Sequence, residues 1–443
     1  MRILLMVAPT GMKQHSVHAG ANYPLALCQL AATLDSSHNV RGYDPDVDPQ
    51  YPHSLKELLL DFQPDLVGIG FRIFDTTLSY EPRSYLPELE AALRLIRRTV
   101  PPIHIALGGS GFSFFAHPLM RRLGEVDIGF YLGSEKAFPA FVNDPESRST
   151  IPGILYREGG QVVFTGPPET GPLDDLPIPR FDLFPVSDYI KEDPTAIGIE
   201  SKRGCKMQCV PCVYPFLMGD SYRLKSAARV VQEVKQLVQR EVPSFFFLDS
   251  IFNLPHSHAQ GVCQALVEAQ LPITWGAFIN AARFTEEQAD LFHRAGCRRY
   301  YFSFDGVSAG AMKKWRRPVS WQQQRRAIAL VKQRPDNFVH VSFLFGSPGE
   351  TTRDLLAFPE LLAFLARHRV FSMSVSFARI YPQTKLHEIA VQEGVISPED
   401  DLLKPVFYQP RPSRAMRYLF HPLFQTVHGA SRLRRRFREL LVQ

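Results

Sequence analysis

Three cysteines fall within eight positions of this chain, in the run Arg203-Gly204-Cys205-Lys206-Met207-Gln208-Cys209-Val210-Pro211-Cys212. Thiolates are soft ligands. Three of them on one short loop match three irons of a four-iron, four-sulfur cluster, leaving the fourth iron without a protein ligand and open to chemistry. A structural zinc site would need a fourth ligand, usually from a second Cys-x-x-Cys or a His-x-x-x-His half. No matching half follows, although His256 and His258 stand further along. An open cluster, a zinc ion and plain buried cysteines are the readings that the residues alone leave. With six cysteines in 443 residues, a disulfide scaffold is excluded, and the crowding of three fits metal binding in a reducing compartment, so a cytoplasmic location is expected.

Such a loop needs a scaffold. From Ala196 the sequence reads as strand, cysteine loop, then helix and strand in regular alternation: strands at 245–248, 273–278, 300–304, 339–345 and 372–378, with helices at 226–240, 258–269, 286–294, 321–332 and 352–366 between them. Six such steps predict a partial or full βα barrel, whose functional face lies at the carboxyl ends of the strands. The cysteine loop follows the first strand and so falls on that face. Polar residues at the other strand ends become candidates with it: Asp249 and Ser250, Arg283, Asp305-Gly306, and the turn Gly346-Ser347-Pro348-Gly349-Glu350-Thr351. Each is also ordinary turn or capping chemistry.

The first part of the chain alternates in the same way. Ile3 to Val7 reads as a buried first strand rather than a leader, and is followed by strands at 40–43, 66–71, 103–107 and 128–132 with helices between, predicting a doubly wound parallel sheet. Gly108-Gly109-Ser110-Gly111 and Gly133-Ser134-Glu135 follow two of these strands, where ligands of such sheets bind. Residues 143–193, rich in Pro and Gly with a hairpin around Gly159-Gly160, read as a connector. The expected organisation is a first domain over 1–142, the connector, a barrel over 194–385, and a small helical region over 386–443.

These motifs carry a resemblance. The Cys-x-x-x-Cys-x-x-Cys loop after a first barrel strand resembles the signature of the radical S-adenosylmethionine (SAM) superfamily, and Val213-Tyr214-Pro215 with Tyr222-Arg223 resembles its cobalamin-dependent branch. Pro211 departs from the aromatic residue usual before the third cysteine. The resemblance implies that Cys205, Cys209 and Cys212 hold the cluster and that its open iron chelates SAM, which one electron cleaves to methionine and a deoxyadenosyl radical. Tyr214, Asp249, Arg283, Asp305 and Gly346 would contact cofactor. Tyr23-Pro24-Leu25, Pro64 to Ile69 and the two glycine turns resemble the branch's cobalamin-binding domain, with Gly108, Gly109, Ser110, Gly111 and Glu135 at the corrin.

The Asp-x-His-x-x-Gly motif that supplies a lower cobalt ligand is absent, and His15, His18 and His104 do not rebuild it. Some members of the branch hold cobalamin without a protein ligand and place an arginine beneath it. Phe71-Arg72-Ile73-Phe74-Asp75 is similar to that segment, which makes Arg72 the candidate. The implied activity is methylation of a carbon, or alternatively of phosphorus, of a natural-product intermediate, with an external electron donor such as flavodoxin or ferredoxin. Radical dehydration, cyclisation or rearrangement is the alternative within enzymes, and a non-catalytic iron–sulfur carrier the alternative outside them. Gly109 is expected to lie against the corrin, so that valine there would cost affinity more than stability.

The remaining composition narrows the classes. A net charge of +6 is dispersed among acidic residues except at Arg432, Arg434, Arg435, Arg436 and Arg438, so nucleic acid is not an expected partner. That tail reads as the solvated face of a terminal helix, with a phosphate, partner or membrane-surface contact as the alternative. The longest apolar runs, such as 245–248, are far too short to cross a bilayer.

Overall fold

The computed structural model describes residues 1–11, 22–79, 81–191, 193–306, 308–317 and 319–414. Its first strands are β1 (Arg2–Val7), β2 (Asn39–Tyr43), β3 (Leu66–Gly70), β4 (His104–Gly108) and β5 (Ile128–Phe130). They pair in parallel in the order β2-β1-β3-β4-β5. The apolar runs behind them are continuous because both faces of the sheet are covered, and successive side chains alternate between those faces. Ile3 and Leu5 of β1 enter one hydrophobic cluster, whereas Leu4 and Met6 enter another. Topology reverses between β1 and β3, which opens a crevice beyond their carboxyl ends.

Two further strands, β6 (Ile154–Glu158) and β7 (Gln161–Phe164), form the hairpin expected at Gly159-Gly160 and add antiparallel to β5. The segment expected as a connector therefore begins as part of the first sheet. Its later residues are core rather than linker. Phe181, Phe184 and Tyr189 are buried around Tyr23, and the Tyr189 hydroxyl donates to Asp44 at 2.7 Å. Pro and Gly mark bends here, and bends need not be exposed.

The second half contains β8 (Gly198–Ile199), β9 (Lys202–Arg203), β10 (Arg223–Leu224), β11 (Ser244–Phe247), β12 (Thr274–Phe278), β13 (Cys297–Ser303), β14 (Phe338–Phe345), β15 (Ser372–Arg379) and β16 (Phe407–Tyr408). Six of these form an open parallel sheet in the order β8-β11-β12-β13-β14-β15, the partial form of the expected barrel. Its helices start at sequence-legible caps. Ser226 accepts from the Arg229 amide ahead of the helix Ala227–Val238, and Ser320 with Gln323 makes a capping box for Trp321–Val331. The helix expected over 352–366 breaks into Thr352–Leu355 and Phe358–Arg367, with Pro359 in the first turn of the second piece.

The region after residue 385 is not wholly helical, because β16 pairs antiparallel with β15. The basic tail from Arg432 to Arg438 lies outside the described residues, as do His15 and His18. No helix among the described residues is long and apolar enough to cross a membrane.

The two halves share one core: residues of the first sheet and of the second occur together in both hydrophobic clusters. The loop after β3 docks on the last parallel strand, where Ser79 Oγ accepts from the Phe377 amide at 3.2 Å and Asp75 pairs with Arg379 Nε at 2.8 Å. This contact fixes the segment carrying Arg72 against the second sheet.

Candidate functional site

The cysteine loop is clamped at its base before any ligand is considered. β9 and β10 pair as a short antiparallel ladder, and the Cys205 amide donates to Gly219 O at 3.1 Å. Gly204 turns the chain at φ +89°, and a Cβ there would meet Ser221 O at 1.8 Å, so no other residue fits. Further along, Val210 N donates to Trp315 O at 3.1 Å, and Val210 O accepts from Leu386 N at 2.9 Å. The loop is thus tied to the helices Ala309–Lys314 and Lys385–Gln392.

Cys205 and Cys209 are buried, Cys212 is half-buried, and all are free thiols. Burial pushes Cys209 up despite the nearby Arg317, and pushes Cys212 up to about 12. Thiols raised in this way bind metal with loss of a proton, so loading is favoured by rising pH. Among the described residues no three or more His, Cys, Asp or Glu side chains are grouped as the ligands of a single ion are. Three thiols that each take a different iron need no common centre, and the donor set fits a cubane cluster better than zinc.

Between the two halves lies a cavity of about 1160 Å³. One wall is the carboxyl edge of the first sheet, with Ala8 after β1, Phe71 and Arg72 after β3, and Gly108 to Gly111 after β4. The opposite wall is formed by Tyr214 and Phe216, which directly follow the cysteine loop, and by Phe246, Phe278 and Tyr301 from the second sheet. A space of this size, with glycines on one side and the cysteine loop behind the other, can hold a macrocycle facing a second cofactor.

Arg72 opens into this cavity. Its side chain is solvent-accessible although protein surrounds it, and burial lowers its pKa against the pull of Tyr214, Asp44 and Asp46. Among the described residues its guanidinium has no ion-pair or hydrogen-bond partner. Tyr214 stands within electrostatic reach of both Cys212 and Arg72, with burial raising its pKa. His104 lies at the amino end of β4, away from the cavity, and no histidine is among the described lining residues.

The glycine turn lines the cavity and also holds the backbone that carries Arg72. Gly111 N donates to Phe71 O at 2.9 Å, Phe71 N donates to Gly108 O at 2.8 Å, and Ser110 Oγ donates to Arg72 O at 2.7 Å. Gly109 sits at φ +98°, and a Cβ there would meet Phe71 O at 2.8 Å instead of pointing into the cavity. Gly109→Val is therefore expected to carry a stability cost beside any loss of affinity. Positive φ and a backbone clash together should cost about 2 kcal/mol or more. The cobalamin-free variant is expected to melt several degrees below wild type, as differential scanning fluorimetry would register; an unchanged melting temperature would return the turn to the ligand.

The other strand-end residues are placed differently from the expectation. Asp249 does not reach the cavity: its carboxylate accepts from Ser201 N at 2.8 Å and Ser201 Oγ at 2.5 Å, with Lys202 Nζ at 3.8 Å, all buried. It holds the entry to the cysteine loop. Arg283 is exposed, at φ +60°, outside the lining. Gly346 is packed under the strand Phe407–Tyr408, where a Cβ would meet Tyr408 O at 2.9 Å, and its amide donates to Glu350. Glu135 does line the cavity, but its carboxylate pairs with Arg203, which outweighs burial and holds it below the usual range.

Asp305 pairs with Arg317, and burial raises its pKa against that pull. Arg317 was not legible as a site residue: it follows the helix Ala309–Lys314 in a basic stretch that reads as solvated surface. Phe114, Phe216 and Tyr381 were also missed. They come from three separate segments and meet at the cavity wall, with ring centroids 5.5 Å and 4.8 Å from Phe114.

Comparison with known proteins places these features. Residues 199–362 match the Radical SAM superfamily. Over 402 residues the chain is 25% identical to an uncharacterized methyltransferase of Pyrococcus horikoshii, covering 89% of this chain and 84% of that protein. The fold is that of the radical SAM methyltransferase TsrM from Kitasatospora setae, solved with cobalamin and a [4Fe-4S] cluster bound: TM-score 0.73, 24% identity, 88% of this chain and 75% of that one. The cobalamin-dependent SAM radical enzyme OxsB, solved with aqua-cobalamin, superposes with a TM-score of 0.74 at 16% identity, over 96% of this chain and 67% of that one.

Proposed function

We propose that this chain, a radical SAM enzyme by the match of its residues 199–362, is a cobalamin-dependent methyltransferase acting on a carbon of a small molecule. The observation that carries the reading is a continuous cavity running from the carboxyl edge of the first sheet to the helix that directly follows Cys212. A corrin against the sheet edge and SAM at the cluster would face each other across it. When bound, the cluster supplies the electron that cleaves SAM, and cobalamin supplies a cobalt that accepts and passes on a methyl group.

The chain's own residues prepare that space. Asp249 and the β9–β10 ladder hold the cysteine loop, and the glycine turn and the Asp75–Arg379 pair hold Arg72. Phe114, Phe216 and Tyr381 present aromatic surface that excludes water from the cavity wall. Arg72 has no lone pair to offer cobalt. Cobalamin is therefore expected in the base-off form without a protein ligand. Electron paramagnetic resonance of the cobalt(II) state should lack nitrogen coupling, and an imidazole coupling would overturn this arrangement.

The activity itself is tested with anaerobically reconstituted protein, SAM and a strong reductant, with and without hydroxocobalamin. S-adenosylhomocysteine should accumulate only with cobalamin. Deoxyadenosine as the sole product, whether or not cobalamin is present, would favour radical dehydration, cyclisation or rearrangement instead. The external electron donor is proposed to be a flavodoxin or ferredoxin, replaced in this assay by the chemical reductant.

A further inference from the structure

We propose that Arg317 is a positioning residue that raises the reduction potential of the cluster by donating to the Cys209 sulfur and placing its positive charge beside it. The inference rests on the cluster reading above. Arg317 Nη1 lies 3.5 Å from Cys209 Sγ, and Nη2 pairs with the Asp305 carboxylate. Its Nε is buried and has no hydrogen-bond partner among the described residues. The backbone reinforces the placement, since Trp315, two residues earlier, accepts from Val210 of the cysteine loop. The guanidinium is therefore delivered to the sulfur from both ends, by its helix and by its counter-ion.

The physical consequence follows from charge. One electron from an external donor makes the cluster one unit more negative, and no bond need break in that step. A hydrogen bond to a ligating sulfur and an adjacent cation both stabilise the more negative state, which raises the potential. The effect is large where water is excluded, and Arg317 is only 12% exposed. Two other largely buried cations stand beside the loop, Lys202 paired with Asp249 and Arg203 paired with Glu135 and Glu200, and neither makes a hydrogen bond to a thiol among the described residues, as Arg317 does.

The test is a redox titration of the reconstituted full chain without SAM, monitored by electron paramagnetic resonance, alongside iron and sulfide content. Arg317→Met should move the midpoint negative by at least a tenfold change in the reduction equilibrium, about 59 mV for one electron. Arg317→Lys, which keeps the charge, should fall between the two. Asp305→Asn keeps an acceptor for the guanidinium but removes the opposing charge, so it should move the midpoint the other way. A merely structural role would not produce shifts of opposite sign.

An unchanged midpoint in Arg317→Met at full iron content overturns the proposal. If that variant does not retain its cluster, Asp305→Asn decides: a negative or absent shift overturns it, and a positive one supports it. Wild-type protein that holds no cluster would instead remove the underlying reading, a failure that iron content separates from the first.

Discussion

Alanine at Cys209 is expected to abolish the brown chromophore and reduce deoxyadenosine formation to background, with iron content falling to near that of unreconstituted protein. The loop offers one thiolate per ligated iron and has no spare. The remaining cysteines cannot substitute: Cys28 is enclosed in the first domain's core beside Tyr23, and Cys263 and Cys297 are fully buried in the second half. Substituting each of those three should leave iron content and SAM cleavage as in wild type. The loop is held by backbone bonds at Cys205, Val210 and Cys212 that do not involve the Cys209 side chain. The variant should therefore keep its fold, and loss of activity can be read as loss of the cluster. Full iron and full turnover in Cys209→Ala would remove the loop from the proposed site.

Arg379→Met should be the most destabilising single change at the joint between the two halves. The Asp75 and Arg379 side chains are 0% and 2% exposed and pair at 2.8 Å, and Arg379 also donates to Leu402 O at 2.7 Å. Removing one partner leaves the other charge buried and uncompensated, a loss of about 3–5 kcal/mol in such pairs. A compensating double variant, Arg379→Met with Asp75→Leu, should recover most of that loss, because two apolar side chains do not need to be desolvated as ions. Urea unfolding followed by circular dichroism would measure both.

The same pair has a functional consequence. Asp75 also accepts from the Thr77 amide at 2.9 Å, and so shapes the loop that begins with Arg72. Hydroxocobalamin binding is expected to weaken in Arg379→Met even under conditions where the protein remains folded. Wild-type stability in the single variant would mean that the joint is carried by contacts that do not involve Arg379, such as the Phe115–Tyr381 ring contact.

The parts of this protein that were legible from residue order are those governed by neighbours along the chain. The cysteine triad is local, so its chemistry could be read directly, and Ser226 and Ser320 mark helix starts because a cap acts within one turn. Continuous apolar runs disclosed parallel strands covered on both faces, and their alternation with helices disclosed the two α/β units. The resemblance to the cobalamin-dependent branch came from the same local motifs, and the matched fold agrees with it.

Contacts across long stretches of chain were settled by packing. The strand-end polar residues could not be sorted beforehand, because a carboxylate that caps a loop and one that meets a ligand look alike in sequence. Only the paired geometry shows Asp249 spent on Ser201 and Lys202. Gly109 lines the cavity, but that its missing side chain also makes room for Phe71 O could not be read from sequence. Arg317 meets Cys209 across 108 positions, and Asp75 meets Arg379 across 304. Closing such distances depends on how helices and strands stack, which hydrophobic burial drives without regard to sequence separation, and the cavity between the two halves exists only once that stacking is complete.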